Sequence, residues 1–131
     1  MKFERLRLLN FKPYKEIQVD FKEGVTVIYG PNGSGKSTLL DACFFALYGR
    51  TSSRGRLGEI ITKGEKKSQV SLVFSQGEES FSIEREITMR GDAAETTKCK
   101  LETPTEVISG NGPVGKEIEK ILGMSHEDFI S

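Results

Sequence analysis

Alternation of period two opens the chain. In KFERLRLLNF, Leu6 and Leu8 fall on one side and Arg5 and Arg7 on the other, which predicts a half-buried strand. Asn10 and Pro13 interrupt it in NFKPYKE. EIQVDF then resumes the alternation, with Ile17, Val19 and Phe21 against Gln18 and Asp20, as a second strand. Lys22, Glu23 and Gly24 read as a turn, and VTVIY (25–29), β-branched and apolar, predicts a third and more buried strand ended by Gly30. From Ser37 to Tyr48 the pattern turns helical, with Leu39, Leu40, Ala42, Ala46 and Leu47. Those residues would span about 18 Å. The segment is apolar almost all round, so it is expected to be a central helix buried between layers, with Gly49 as its stop.

Beyond Gly49 the pattern loosens. RTSSRGRLG is polar, Gly-rich and basic, a surface loop. SQVSLVF and SFSIEREI both alternate and flank Ser75 to Glu79, which predicts a β-hairpin, and TTKCKLE adds a further candidate strand. SGNGP reads as a loop. VGKEIEKILGM spaces Val114, Ile118, Ile121 and Leu122 at helical intervals. SHEDFIS opens a last helix, with Ser125 as N-cap and Asp128 three residues later, close to a capping box.

A length of 131 residues suits one domain, 1–131, with a modest core. Lys plus Arg equals Asp plus Glu at 19 each, so no global field draws nucleic acid, and any such contact has to be a local patch. No apolar run reaches membrane-spanning length and the N-terminus lacks the apolar core of a signal peptide, so the chain is expected to be cytoplasmic, with no membrane partner. The two cysteines, Cys43 and Cys99, form no Cys/His cluster, so no zinc site is indicated. Cys43, between Ala42 and Phe44, reads as a small buried hydrophobe, and a cytoplasmic compartment would keep both thiols reduced.

The candidate chemistry lies in GPNGSGKST. Gly30-Pro31-Asn32-Gly33-Ser34-Gly35-Lys36-Ser37 satisfies G-x-x-x-x-G-K-[ST] in full, after a strand pattern and before a helical one, which is the context a phosphate loop (Walker A motif) requires. Glycines let the backbone N–H groups turn toward phosphates, and the helix that begins here adds its partial positive end. Lys36 supplies a mobile point charge for the β and γ oxygens and is the one catalytic candidate; the Ser37 hydroxyl suits Mg²⁺, a hard ion that prefers oxygen. ATP and Mg²⁺ are therefore the expected cofactors.

In small kinases and GTPases such a loop usually follows the first strand, whereas here two earlier strands come before the one that leads into it. The stretch from Lys2 to Gly49 resembles the N-terminal head segment of SMC-like ATPases of the RecF/RecN/SMC type. It is most similar to the SbcC-type ATPase subunit of the double-strand-break repair nuclease complex, and IEKILGMSHEDFIS is similar to the stretch before that family's Q-loop. The likeness is weakest from about residue 50 to 110. It implies an α/β fold (an α+β lobe): a P-loop NTPase, the N-terminal lobe of an ABC-type head, with mixed or antiparallel β-sheets around a buried P-loop helix. It further implies that Asn32, Gly33, Ser34, Gly35, Lys36, Ser37 and Thr38 bind ATP phosphates, with Ser37 on the metal. Lys12 stands where the family usually has Arg near the nucleotide, keeping the charge without the bidentate fork. Thr62, Lys63 and Gly64 match a segment bordering the nucleotide; read from residues alone they are a turn in a solvated basic loop.

Hydrolysis also requires a group to position water and a second hold on the metal. In this family both come from an acidic pair after an apolar strand, and no run of four apolar residues here is followed by Asp-Glu or Asp-Asp. SQGEE (75–79) resembles a Q-loop, but between two alternating strands it reads as a hairpin turn. ISGNG (108–112) resembles a signature motif that the family places after its Q-loop. The chain is therefore expected to be the Walker A half of a split head. It would pair with the C-terminal half, with residues 99–131 as a candidate contact surface, and two completed heads would sandwich ATP. A repair nuclease and double-stranded DNA are the implied partners. Arg50, Arg54 and Arg56, or Lys63, Lys66 and Lys67, are candidates for DNA phosphates, though a solvated loop explains them equally. His126 reads as a helix-terminal polar residue. The alternatives are another ABC-type ATPase (a chromosome-organising SMC protein or a transporter), a small P-loop kinase or GTPase, and a nucleotide-binding structural module without turnover.

Overall fold

The computed structural model describes residues 1–21, 34–50 and 56–123 and, of residues 34–37, the backbone. The expected strand at 25–29, residues 30–33 of the phosphate loop, residues 51–55 and the expected helix at 125–131 lie outside the described residues.

Among the described residues six strands form one antiparallel sheet. In chain order they are β1 (Lys2–Phe11), β2 (Tyr14–Asp20), β3 (Lys67–Gln76), β4 (Glu79–Arg90), β5 (Ala93–Glu102) and β6 (Val107–Ser109). Their order across the sheet is β2-β1-β3-β4-β5-β6, with every neighbour antiparallel. All connections but one join adjacent strands. The exception runs from β2 to β3 and carries the phosphate loop and its helix, α1 (Ser34–Tyr48). A second helix, α2 (Asn111–Leu122), follows β6, and a short 3₁₀ turn covers Leu57–Ile60.

The period-two pattern decides which sheet face is covered. Leu6 and Leu8 of β1, Val70, Leu72 and Phe74 of β3, and Phe81, Ile83 and Ile87 of β4 all point into one core. The helix α1 contacts β1, β3 and β4, and α2 contacts β5, β6 and α1. Phe11 at the end of β1 meets Phe45 of α1 with ring centroids 6.3 Å apart, and Phe74 stacks on Phe81 at 5.3 Å. Each such fully buried side chain contributes roughly 1.5–3 kcal/mol. The outward face carries ion pairs instead: Arg5 with Asp20, Lys98 with Glu84 and Lys67 with Glu86. The hairpin between β3 and β4 turns through Gly77 and Glu78, so SQGEE is a tight turn, with Gly77 at φ 65°.

Three expectations change. The phosphate-loop helix begins at Ser34 rather than Ser37, because the loop's last glycine is already in the first turn. It is not buried all round. Leu39, Ala42, Cys43, Phe45, Ala46 and Leu47 are buried, but Leu40 is 50% exposed, on a side of α1 that the sheet does not reach. SGNGP is not a loop: Ser109 ends β6 and α2 starts at Asn111, three residues before the apolar spacing begins. Gly110, at φ 99°, makes the sharp corner between them, where its N–H donates to the Cys99 carbonyl.

Cys43 lies in the core as expected, where burial pushes its thiol up to about 12 and leaves it neutral and unreactive at physiological pH. Gly49 stops α1 as expected: it sits at φ 79° and donates to the Phe45 carbonyl at 2.8 Å. A Cβ there would meet the Arg85 Nη1 at 2.9 Å, so the position combines left-handed backbone with a close approach. Gly49→Ala is expected to destabilise the fold by about 2 kcal/mol, read as a shift in urea midpoint at unchanged slope.

Candidate nucleotide-binding site

The site is assembled around the N-terminal half of α1. Its first turn is Ser34–Ser37, so the motif's Ser34, Gly35, Lys36 and Ser37 supply the backbone N–H groups that a helix start leaves unpaired. Asn32 and Gly33 lie outside the described residues. Thr38 is buried, at 6% exposure.

The turn between β1 and β2 comes alongside. Lys12 adopts φ 49°, a left-handed conformation that costs a residue with a Cβ roughly 1–2 kcal/mol. Its surroundings hold it there. The Lys12 N–H donates to the Ile60 carbonyl at 2.7 Å, and the Lys12 carbonyl accepts the Thr62 hydroxyl at 2.8 Å. The Lys12 Nζ points to α1 and donates to Asp41 Oδ2 at 3.3 Å, an ion pair whose side chains are 29% and 18% exposed.

The segment 60–65 is knitted onto this turn. Phe11 and Ile61 form a β-bridge, the Thr62 N–H donates to the Asn10 carbonyl at 2.9 Å, and the Thr62 hydroxyl also reaches the Tyr14 carbonyl at 3.3 Å. Thr62 accepts from the Glu65 N–H, closing a turn that contains Lys63 and Gly64; Gly64 takes φ 92° with nothing near where a Cβ would stand. Both Lys63 and Gly64 are exposed. Lys12 and Thr62, separated by 50 residues, thus share one cluster with α1, and Lys63 and Gly64 stand at its rim.

Two residues that the sequence reading did not single out are prominent. Asp41 is the lone acid in the apolar run of α1, and that isolation is the signal that could have marked it. Arg85 occupies the inward row of β4 between Ile83 and Ile87, at 2% exposure, where every neighbour in the row is apolar. Of the basic candidates for nucleic acid, Lys67 is paired with Glu86 on the outward face and Arg54 lies outside the described residues, as does the expected helix-terminal His126.

Comparison with known proteins follows the same lines as this geometry. A family model described as an AAA domain matches residues 5–130. The chain belongs to this AAA-domain family. Over its whole length this AAA-domain lobe is 44% identical to the DNA double-strand break repair Rad50 ATPase of Halobacterium salinarum and 34% identical to that of Thermoplasma volcanium. It spans 15% of the length of each. Among solved structures, the recombination mediator protein RecF with ATP superposes with a TM-score of 0.66 at 23% identity, over 87% of this chain and 29% of that one. The SMC head domain from Thermotoga maritima gives 0.57 at 26% identity, over 82% of this chain and 39% of that one. The RecF likeness shows the fold. Together these make the AAA-domain lobe an SMC-like, Rad50-type N-terminal head lobe, in a family of ATPases. No helix among the described residues is long and apolar enough to cross a membrane.

Proposed function

We propose that residues 1–131 are one domain, the ATP- and Mg²⁺-binding Walker A half of a DNA double-strand-break repair ATPase head. The observation that carries this reading is the juxtaposition of a complete phosphate-loop sequence with the Lys12 turn: α1 starts inside GSGKS, and Lys12, pinned by Ile60 and Thr62, reaches the same helix through Asp41. The donor set suits a nucleotide triphosphate with its metal. Backbone N–H groups of the first turn and the cations of Lys36 and Lys12 complement phosphate oxygens, while Ser37 offers a hard oxygen to Mg²⁺. Asn32 to Thr38, Lys12 and Thr62 to Gly64 are the proposed nucleotide contacts. Bound Mg²⁺ would neutralise charge between the β- and γ-phosphates. Lys36 would hold those oxygens, and Asp41 would keep Lys12 aimed along α1.

Hydrolysis belongs, in this reading, to the completed head dimer, because the acidic pair that would position water is not in this sequence. The C-terminal half of the same head is the first partner. Val107, 60% exposed, and Leu40, 50% exposed, are apolar surface that such a half would cover. A second head, a repair nuclease and double-stranded DNA complete the proposed assembly, in a cytoplasmic, nucleoid-associated setting. The test is titration of the head, reassembled from this chain and its C-terminal half, with a non-hydrolysable ATP analogue. Saturable binding that requires Mg²⁺ is expected; its absence sinks the proposal. Magnesium-dependent ATP turnover by this chain alone would favour a small P-loop kinase or GTPase instead.

A further inference from the structure

We infer that Arg85 is a positioning residue for the phosphate loop: a single buried guanidinium fastens the far end of the loop's helix to the first residue of α2. The inference rests on the nucleotide-binding reading above and concerns a residue on the opposite end of α1 from the loop.

Arg85 donates four hydrogen bonds. Its Nε reaches the Ala46 carbonyl at 2.8 Å and its Nη2 the Leu47 carbonyl at 3.0 Å; its Nη1 reaches Asn111 Oδ1 at 2.9 Å and Cys99 Sγ at 3.1 Å. Ala46 and Leu47 are two of the last four residues of α1, whose carbonyls have no partner within the helix. A third, Phe45, is taken by the Gly49 N–H. None of these partners of the cation is a carboxylate. What faces it is the negative end of the α1 dipole and a row of neutral acceptors. Burial pulls the guanidinium down from its ordinary value, opposed by the Cys99 sulfur. A side chain that only filled this row of β4 would be apolar, as Ile83 and Ile87 are. The fork is what an apolar residue cannot supply, since its donors join β4, the end of α1, β5 and the start of α2 at one point.

The mechanical consequence follows from the stiffness of α1. Its 15 residues span about 22 Å, buried along Ala42, Cys43, Ala46 and Leu47. A helix so packed transmits an axial shift at Leu47 to Ser34, and hence to the phosphate loop. Asn111 is the first residue of α2, and α2 seats Val114 and Ile118 in the same core. Arg85 therefore ties the setting of the loop to the setting of α2, and nucleotide binding at one end should be felt at the other.

The test uses the full-length protein, a non-hydrolysable ATP analogue with Mg²⁺, and amide hydrogen exchange read separately over α1 and α2. In the wild type, nucleotide should slow exchange in both helices. Asn111→Ala removes an exposed side chain and spares the core. It should keep the response in α1, lose it in α2, and weaken nucleotide binding by about fivefold. Asn111→Asp retains an acceptor oxygen for Nη1 and should restore both the response and the affinity. Arg85→Lys, which keeps the charge without the fork, should behave as Asn111→Ala does. Wild-type binding with no response in α2, or an unchanged response and affinity in both Asn111→Ala and Arg85→Lys, overturns the inference. Failure of the wild type to bind nucleotide at all overturns the nucleotide reading itself, and the inference with it.

Discussion

Lys36→Ala is expected to abolish measurable ATP binding by the reassembled head, with the dissociation constant rising by at least about a hundredfold. A lysine at the start of α1 adds a full positive charge to a helix end that carries only about half of one. Charge-assisted hydrogen bonds to phosphate contribute about 1.5–3 kcal/mol each, and a water-poor site strengthens them further. The backbone N–H groups of the first turn survive the substitution, and so does the Lys12 cluster, so residual weak attraction for phosphate remains. Neither compensates a lost charge next to the β and γ oxygens. Folding should be untouched, because the core that seats α1 is built from Leu39 onward. The two readouts are calorimetric titration with Mg²⁺ and a thermal melt without nucleotide. Wild-type affinity in this variant would rule out the phosphate-loop assignment, and a collapsed melt would mean that Lys36 has a structural task instead.

Arg85→Met should destabilise the folded chain by about 3 kcal/mol. Methionine fills most of the volume but leaves the Ala46 and Leu47 carbonyls without their donors, and an orphaned buried acceptor costs roughly 1–3 kcal/mol. Removing the charge returns part of this, since a buried cation carries a desolvation penalty of its own. The balance favours the arginine because all four of its bonds are short and reach three other elements. Against a total stability of about 5–15 kcal/mol the loss is large, and it should appear as a lower urea midpoint with the slope preserved. A variant as stable as the wild type would show that desolvation of the guanidinium cancels its bonds.

Several features could be read directly along the chain. Strands β1 to β4 follow from alternation, because one face is core and the other water, and a period of two has no other simple origin. Leu6 and Leu8 against Arg5 and Arg7 is the clearest case. The hairpin at Gly77 follows from two such runs separated by a glycine turn. The helix α1 follows from its apolar content and Gly49, and α2 from the spacing of Val114 and Ile118. Boundaries were less legible. A helix can begin inside a glycine-rich loop, as at Ser34, or directly after a strand, as at Asn111, when tertiary contacts override weak local propensity.

Sequence by itself determined the phosphate-loop motif, since it is a contiguous run whose chemistry depends on residue type and short spacing. It also determined, through alternation, which face of β1 to β4 turns inward. Only the tertiary structure decided that Lys12 lies against Asp41 and Thr62, and that Arg85 closes the end of α1. These contacts join residues 14 to 50 positions apart, through a turn in left-handed backbone and an inward row of a sheet. Local pattern carries no record of such meetings, because they are set by the order β2-β1-β3-β4-β5-β6 and by where α1 comes to rest on it. A lone charge in an apolar row, at Asp41 or Arg85, is the mark they leave in the sequence; which carbonyl or ion answers it is settled by packing.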